Sequence, residues 1–135
     1  MLGIRRVRSV HPVFVVLALT LGVAACGDDG NSQAATPEAS RTIEVTANEY
    51  TFNGDPGTIR AGDTIDFALR NTGMLDHSLE VLSTEGRSLG KTPRIPAGQS
   101  ATVTVTFDAG GQYRLICDVD DHLSRGQSAN ITVTG

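Results

Sequence analysis

The chain has 135 residues, with 15 Asp and Glu against 11 Lys and Arg and a formal charge of −4. That length leaves room for one domain, and the acidic balance argues against a basic surface for nucleic-acid phosphates. With 15 Gly and no Trp, the composition suits a small, turn-rich β domain better than a helical bundle.

The chain opens with a basic stretch, Arg5 to Arg8, followed by an apolar run from Val13 to Leu21 and the small residues Gly22-Val23-Ala24-Ala25 before Cys26. This is the layout of a secretory signal, and the run is too short for a spanning helix. The tetrapeptide Val23-Ala24-Ala25-Cys26 resembles a bacterial lipobox, in which the Cys is lipidated and becomes the new N-terminus. An ordinary signal peptide with an incidental Cys is the alternative. The pair Arg5-Arg6 is a weak pointer to twin-arginine export. The reading is therefore a lipoprotein signal peptide over 1–25, a lipidated Cys26, and a protein anchored on the extracytoplasmic face of the membrane. Removing Arg5, Arg6 and Arg8 leaves 8 basic residues against 15 acidic ones, a charge of −7.

Residues 26–40 are polar and small, with no hydrophobic period, and read as a flexible tether. About 15 such residues span some 20 Å on average. The folded domain is expected over 41–135, where period-2 alternation sets in. Ile43, Val45 and Ala47 share one parity. Ile65, Phe67 and Leu69 alternate with Thr64, Asp66 and Arg70. Val103, Val105 and Phe107 alternate with Thr102, Thr104 and Thr106, and Ile131 and Val133 with Asn130, Thr132 and Thr134. These are half-buried strands. Turn signals separate them at Asn53-Gly54-Asp55-Pro56-Gly57, Ala61-Gly62-Asp63, Asn71-Thr72-Gly73, Pro96-Ala97-Gly98 and Gly110-Gly111. The fold class is all-β: an antiparallel Greek-key sandwich of about seven to eight strands. Phe67, Phe107 and Tyr113 are core candidates. Asn130-Ile131-Thr132 matches a glycosylation sequon but reads as strand.

The 2 cysteines narrow the function. If Cys26 carries lipid, Cys117 has no partner within the chain, and an unpaired thiol in an oxidising compartment calls for a role. It is a buried inert thiol, one half of an intermolecular disulfide, or a metal-bound thiolate. Parity bears on the choice. Leu79 and Val81 point inward, and so therefore does His77; Tyr113 and Leu115 point inward, and so does Cys117. His77 opens its strand and Cys117 closes its own, so antiparallel strands place both at one end of the sandwich. A loop of about ten residues then carries His122 and Gln127 back into the last strand. With His11 in the signal, both remaining histidines of the 3 in the chain fall in this constellation.

A thiolate and two imidazoles form the trigonal set of blue copper, completed by a weak axial Met or Gln. The expected ligands of one ion, cycling Cu(I)/Cu(II), are His77, Cys117, His122 and Gln127; zinc is a metal the same donors also hold. Asp118, Asp120 and Asp121 read as a solvated loop.

The stretches that carry Asp76-His77-Ser78 after the Asn71-Thr72-Gly73 turn, Pro96 to Ser100 before Thr102–Phe107, and Tyr113 to Val133 resemble the plastocyanin/azurin-type cupredoxins, over essentially the whole domain. That family commonly has a Tyr shortly before its Cys, then His, Gly and Met, and this chain keeps Cys117, His122 and Gly126 at the family spacing. It departs at Gln127, where the family has Met and the stellacyanin branch has Gln. It also departs at Asp118-Val119-Asp120-Asp121, where Pro-Gly often precedes the His, and at Ser78, where Asn is common.

The resemblance implies a one-electron carrier, a monomer and not an enzyme, since copper nitrite reductases and multicopper oxidases need further His-rich sites. It also implies an apolar exit over His122, formed here by Met74, Leu75 and Leu123. The expected partner is a redox protein such as a c-type cytochrome or a membrane electron-transfer complex, steered by Asp120 and Asp121. No nucleic-acid partner is expected, and membrane contact runs through the lipid. Copper storage or delivery without electron transfer is the competing function.

Overall fold

The computed structural model describes residues 38–135. The expected signal segment 1–25, the expected lipidation site Cys26 and most of the expected tether over 26–40 lie outside the described residues. Among the described residues, no helix is long and apolar enough to cross a membrane.

Nine strands follow in chain order: β1 (Arg41–Asn48), β2 (Thr51–Asn53), β3 (Ile59–Arg60), β4 (Thr64–Asn71), β5 (Glu80–Leu82), β6 (Ser88–Lys91), β7 (Ser100–Thr106), β8 (Gly111–Ile116) and β9 (Ser128–Thr134). They form two sheets, ordered β2-β1-β4-β7 and β3-β9-β8-β5-β6. The expected sandwich is therefore present, with two differences in detail. The strands number nine because β2 and β3 are fragments of three and two residues. Two pairings, β1 with β4 and β3 with β9, are parallel. The cause is a sheet switch: after β2 the chain crosses to pair β3 along β9, then returns to the first sheet as β4 beside β1.

Alternation decides which side chains meet between the sheets. Ile43, Val45 and Ala47 of β1, Ile65, Phe67 and Leu69 of β4, Val103 and Val105 of β7, Tyr113 and Leu115 of β8, and Ile131 and Val133 of β9 are all buried, whereas most of their neighbours of opposite parity are exposed or part-exposed. Burying each large apolar side chain contributes roughly 1.5–3 kcal/mol. Three rings anchor this core. Phe107 stands edge-on to Phe67 at 6.2 Å and to Tyr113 at 4.9 Å, and the Tyr113 hydroxyl donates to the Ala109 carbonyl at 2.8 Å.

The ladders place one pole. β5 and β8 run antiparallel with Glu80 opposite Ile116 and Val81 opposite Leu115. β8 and β9 run antiparallel with Ile116 opposite Ser128, and a further bond from Cys117 N to the Gln127 carbonyl, 3.2 Å, carries that ladder one pair onward. His77 precedes β5 and is fixed by a two-way bridge to Ile95, at 3.0 and 2.8 Å.

Candidate metal centre

Cys117 and Gln127 face each other as the last pair of the β8–β9 ladder, so their side chains leave the sheet on the same, inward face. His77 keeps the inward parity of Leu79 and Val81, and all three are fully buried. His122 completes the group from the loop. That loop is a run of tight turns, with His122 N on the Val119 carbonyl and Gln127 N on the His122 carbonyl, both 3.0 Å. Gly126, at φ +102°, makes the reversal into β9 in a region that glycine favours.

The donor atoms of His77, Cys117 and His122 lie within 4.8 Å of one another. Cys117 Sγ is 3.5 Å from His122 Nδ1 and 4.0 Å from His77 Nδ1. Donors in trigonal contact with one ion at ordinary metal–nitrogen and metal–sulfur lengths stand about 3.5–3.8 Å apart. All three residues are at most 3% exposed. The group thus fits a single copper ion, for which thiolate plus imidazole is the fitting donor set.

Gln127 is fully buried beside it. Its Nε2 donates to the Thr51 carbonyl at 3.3 Å and its Oε1 lies 3.0 Å from His77 Nδ1. A carbonyl only accepts, so the nitrogen end is committed to Thr51 and the oxygen end faces the centre. Without metal, His77 Nδ1 carries the proton that Gln127 accepts. Were Nδ1 to hold a metal, the ring proton would sit on Nε2, which is buried and, among the described residues, has no hydrogen-bond partner. Burial, partly offset by the Gln127 bond, lowers the His77 pKa and keeps the imidazole neutral.

The surroundings are more ordered than a run of solvated aspartates. Ser78 Oγ sits 3.8 Å from Cys117 Sγ and donates to Asp118 Oδ1 at 2.6 Å, while Lys91 pairs with the other Asp118 oxygen. Burial alone would raise the Asp118 carboxyl, but the bonds from Lys91 and Ser78 outweigh it and hold it below the usual carboxylate range. Arg94 bridges Asp76 and Asp120, at 2.9 and 3.3 Å, and Arg125 holds Asp121 at 2.7 Å. Asp118, Asp120 and Asp121 are exposed, as expected of a solvated loop, and each also bonds a cation. Met74 (85%), Leu75 (37%) and Leu123 (40%), the last next to His122 in the chain, are exposed apolar side chains.

Three further contributors were not legible in the sequence. Asn71, buried, donates to the Leu75 and Ile95 carbonyls and accepts from Gly73 N, shaping the turn ahead of His77. Thr51 holds Gln127. Tyr50 meets the His122 ring edge-on at 5.3 Å. Asn71 was visible only as a turn signal, and the other two lie far from the ligands along the chain.

Residues 13–133 match the family model of the Cupredoxin-like domain. The chain is 26% identical over 113 residues to the copper-resistant cuproprotein CopI of Rubrivivax gelatinosus, covering 71% of this chain and 68% of that one. Its fold is similar to dithionite-reduced auracyanin of Roseiflexus castenholzii, at 21% identity and TM-score 0.63 over 73% of this chain and 100% of that one. Auracyanin B is likewise similar, at 20% identity and TM-score 0.67 over 77% and 96%.

Proposed function

From the premise that this chain belongs to the cupredoxin-like family, we propose that it is a type 1 copper protein carrying one electron, with His77, Cys117 and His122 as ligands and Gln127 on the axis. The carrying observation is the convergence of three buried donors within 4.8 Å from two strand ends and one loop. Copper supplies the Cu(I)/Cu(II) couple. The protein's part is to hold the donors so that neither state rearranges the scaffold. His77 stays neutral through burial, Gln127 is aimed by Thr51, and the Cys117 sulfur is flanked by the Ser78 hydroxyl.

The electron leaves through His122, under Met74, Leu75 and Leu123, toward a redox protein such as a c-type cytochrome or a membrane complex. Because Arg94 and Arg125 pair with Asp120 and Asp121, docking rests on the apolar patch more than on loop charge. The protein works outside the cytoplasm, held by lipid on Cys26. It is a carrier and not an enzyme: the chain has 3 His, two in the cluster and one at position 11, which leaves none for a second copper site.

Copper storage or delivery is the second reading, favoured by the relative named as a copper-resistant cuproprotein. Rapid mixing separates the two. A carrier is reduced by a small-molecule donor in milliseconds and keeps its metal against a chelator. A delivery protein surrenders copper to the chelator faster than it exchanges electrons, and that order of rates would replace the first reading by the second.

A further inference from the structure

The turn between β1 and β2, far from the ligands in sequence, touches the segments that carry His77, His122 and Gln127. Glu49 Oε1 accepts from Met74 N at 3.1 Å, on the loop that leads to His77. The Thr51 carbonyl accepts from Gln127 Nε2. Between them the Tyr50 ring stands edge-on to His122, with centroids 5.3 Å apart and planes at 84°. The Arg125 guanidinium lies 4.8 Å over the same Tyr50 ring and is held there by Asp121. Tyr50 is thus wedged inside the ligand loop, between the imidazole and an arginine three residues on. Glu49 is one of two non-glycine residues at positive φ among the described residues, at +46°, a conformation that persists where surrounding contacts over-determine it.

We propose that Tyr50 is a positioning residue of the copper centre: gripped by His122 and Arg125, its ring fixes the orientation of the loop imidazole before and after the metal binds. This rests on the copper reading above and adds a residue outside the ligand set. An imidazole on a loop without Pro-Gly needs such a wall, since ring rotation about χ2 swings Nδ1 off the metal. Edge-to-face aromatic pairing and a cation over the opposite partner are each favourable beyond area burial.

The test uses the full chain with Tyr50→Leu and Tyr50→Phe, metal-free and Cu(II)-loaded. In the metal-free chain, nuclear Overhauser contacts between the Tyr50 and His122 rings are expected; their absence overturns the proposal without reference to copper. In the loaded chain, Tyr50→Leu should lose copper to EDTA roughly three- to tenfold faster and shift the Cu–thiolate band, the factor an aromatic pair carries. Tyr50→Phe should keep both within about twofold, because the ring contact with His122 survives. Equal EDTA rates and an unmoved band in Tyr50→Leu overturn the proposal. A wild-type chain that shows the ring contact but no band would instead sink the copper reading. Should Tyr50→Leu fail to fold, Arg125→Gln takes its place, with a rate roughly three- to fivefold above wild type expected and a rate within about twofold as refutation.

Discussion

Gln127→Met replaces a fully buried amide by a side chain of similar length and volume, so the site changes chemistry more than shape. Two effects separate. In the metal-free protein, the bonds from Nε2 to the Thr51 carbonyl, 3.3 Å, and from His77 Nδ1 to Oε1, 3.0 Å, are both lost, and their removal is worth about 2 kcal/mol of stability. In the loaded protein, the amide oxygen now facing His77 Nδ1 is replaced by a thioether, which favours Cu(I). If the oxygen prefers the doubly charged ion by about 1.5–3 kcal/mol, the range for polar contacts to charged groups, its loss raises the potential by ~60–130 mV. Urea unfolding of the apo chain reads the first effect and cyclic voltammetry the second. A variant destabilised as expected but with an unmoved potential would show that Gln127 supports the fold without facing the metal, and the axial assignment would fall.

The remaining predictions concern charge and pH. Asp118→Asn removes the pair with Lys91, whose members are 37% and 42% exposed, so apo stability should fall by roughly 1 kcal/mol or less. Because the folded-state Asp118 carboxyl is depressed, its contribution is present above the ordinary carboxylate pKa and lost as pH falls through the lower folded value. The acid limb of the thermal-melt profile should therefore flatten in Asp118→Asn, and an unchanged limb counts against a stabilising bond from Lys91 to Asp118. The His77 pKa is lowered by burial, so the unfolded chain binds the proton first. Apo stability should decline as pH drops below about 6.5 and level off under the folded pKa, and His77→Gln should remove that slope in a urea titration. Association with a c-type cytochrome should change little with ionic strength, since Arg94 and Arg125 offset the loop carboxylates. A steep decline in stopped-flow rate with salt would restore the loop to a steering role.

The sandwich was legible because period-2 alternation is long in β1, β4, β7 and β9, and a face buried on one side fixes the register of every strand. The parallel pairings were not, because β3 has two residues and no periodicity reveals a sheet switch that short. Parity placed His77 and Cys117 correctly, although His77 lies just outside β5. The same parity, extended back from Ile131 through Ala129, points Gln127 inward; it is a cross-strand partner of Cys117 more than a loop residue. The cations that bond the acidic loop were out of reach. Lys91 and Arg94 come from β6 and the segment after it, and nothing in their spacing announces Asp118 or Asp120. Tyr50 is hidden for the same reason, since contacts across many tens of residues leave no local pattern.

Titration of the full, metal-free chain with Cu(II), followed by visible absorption, tests the centre most directly. The account predicts an intense charge-transfer band that saturates at one copper per chain, bleaches on reduction and is missing in Cys117→Ser. A band that never forms, or one that persists in Cys117→Ser, would contradict a thiolate-bound copper at this pole.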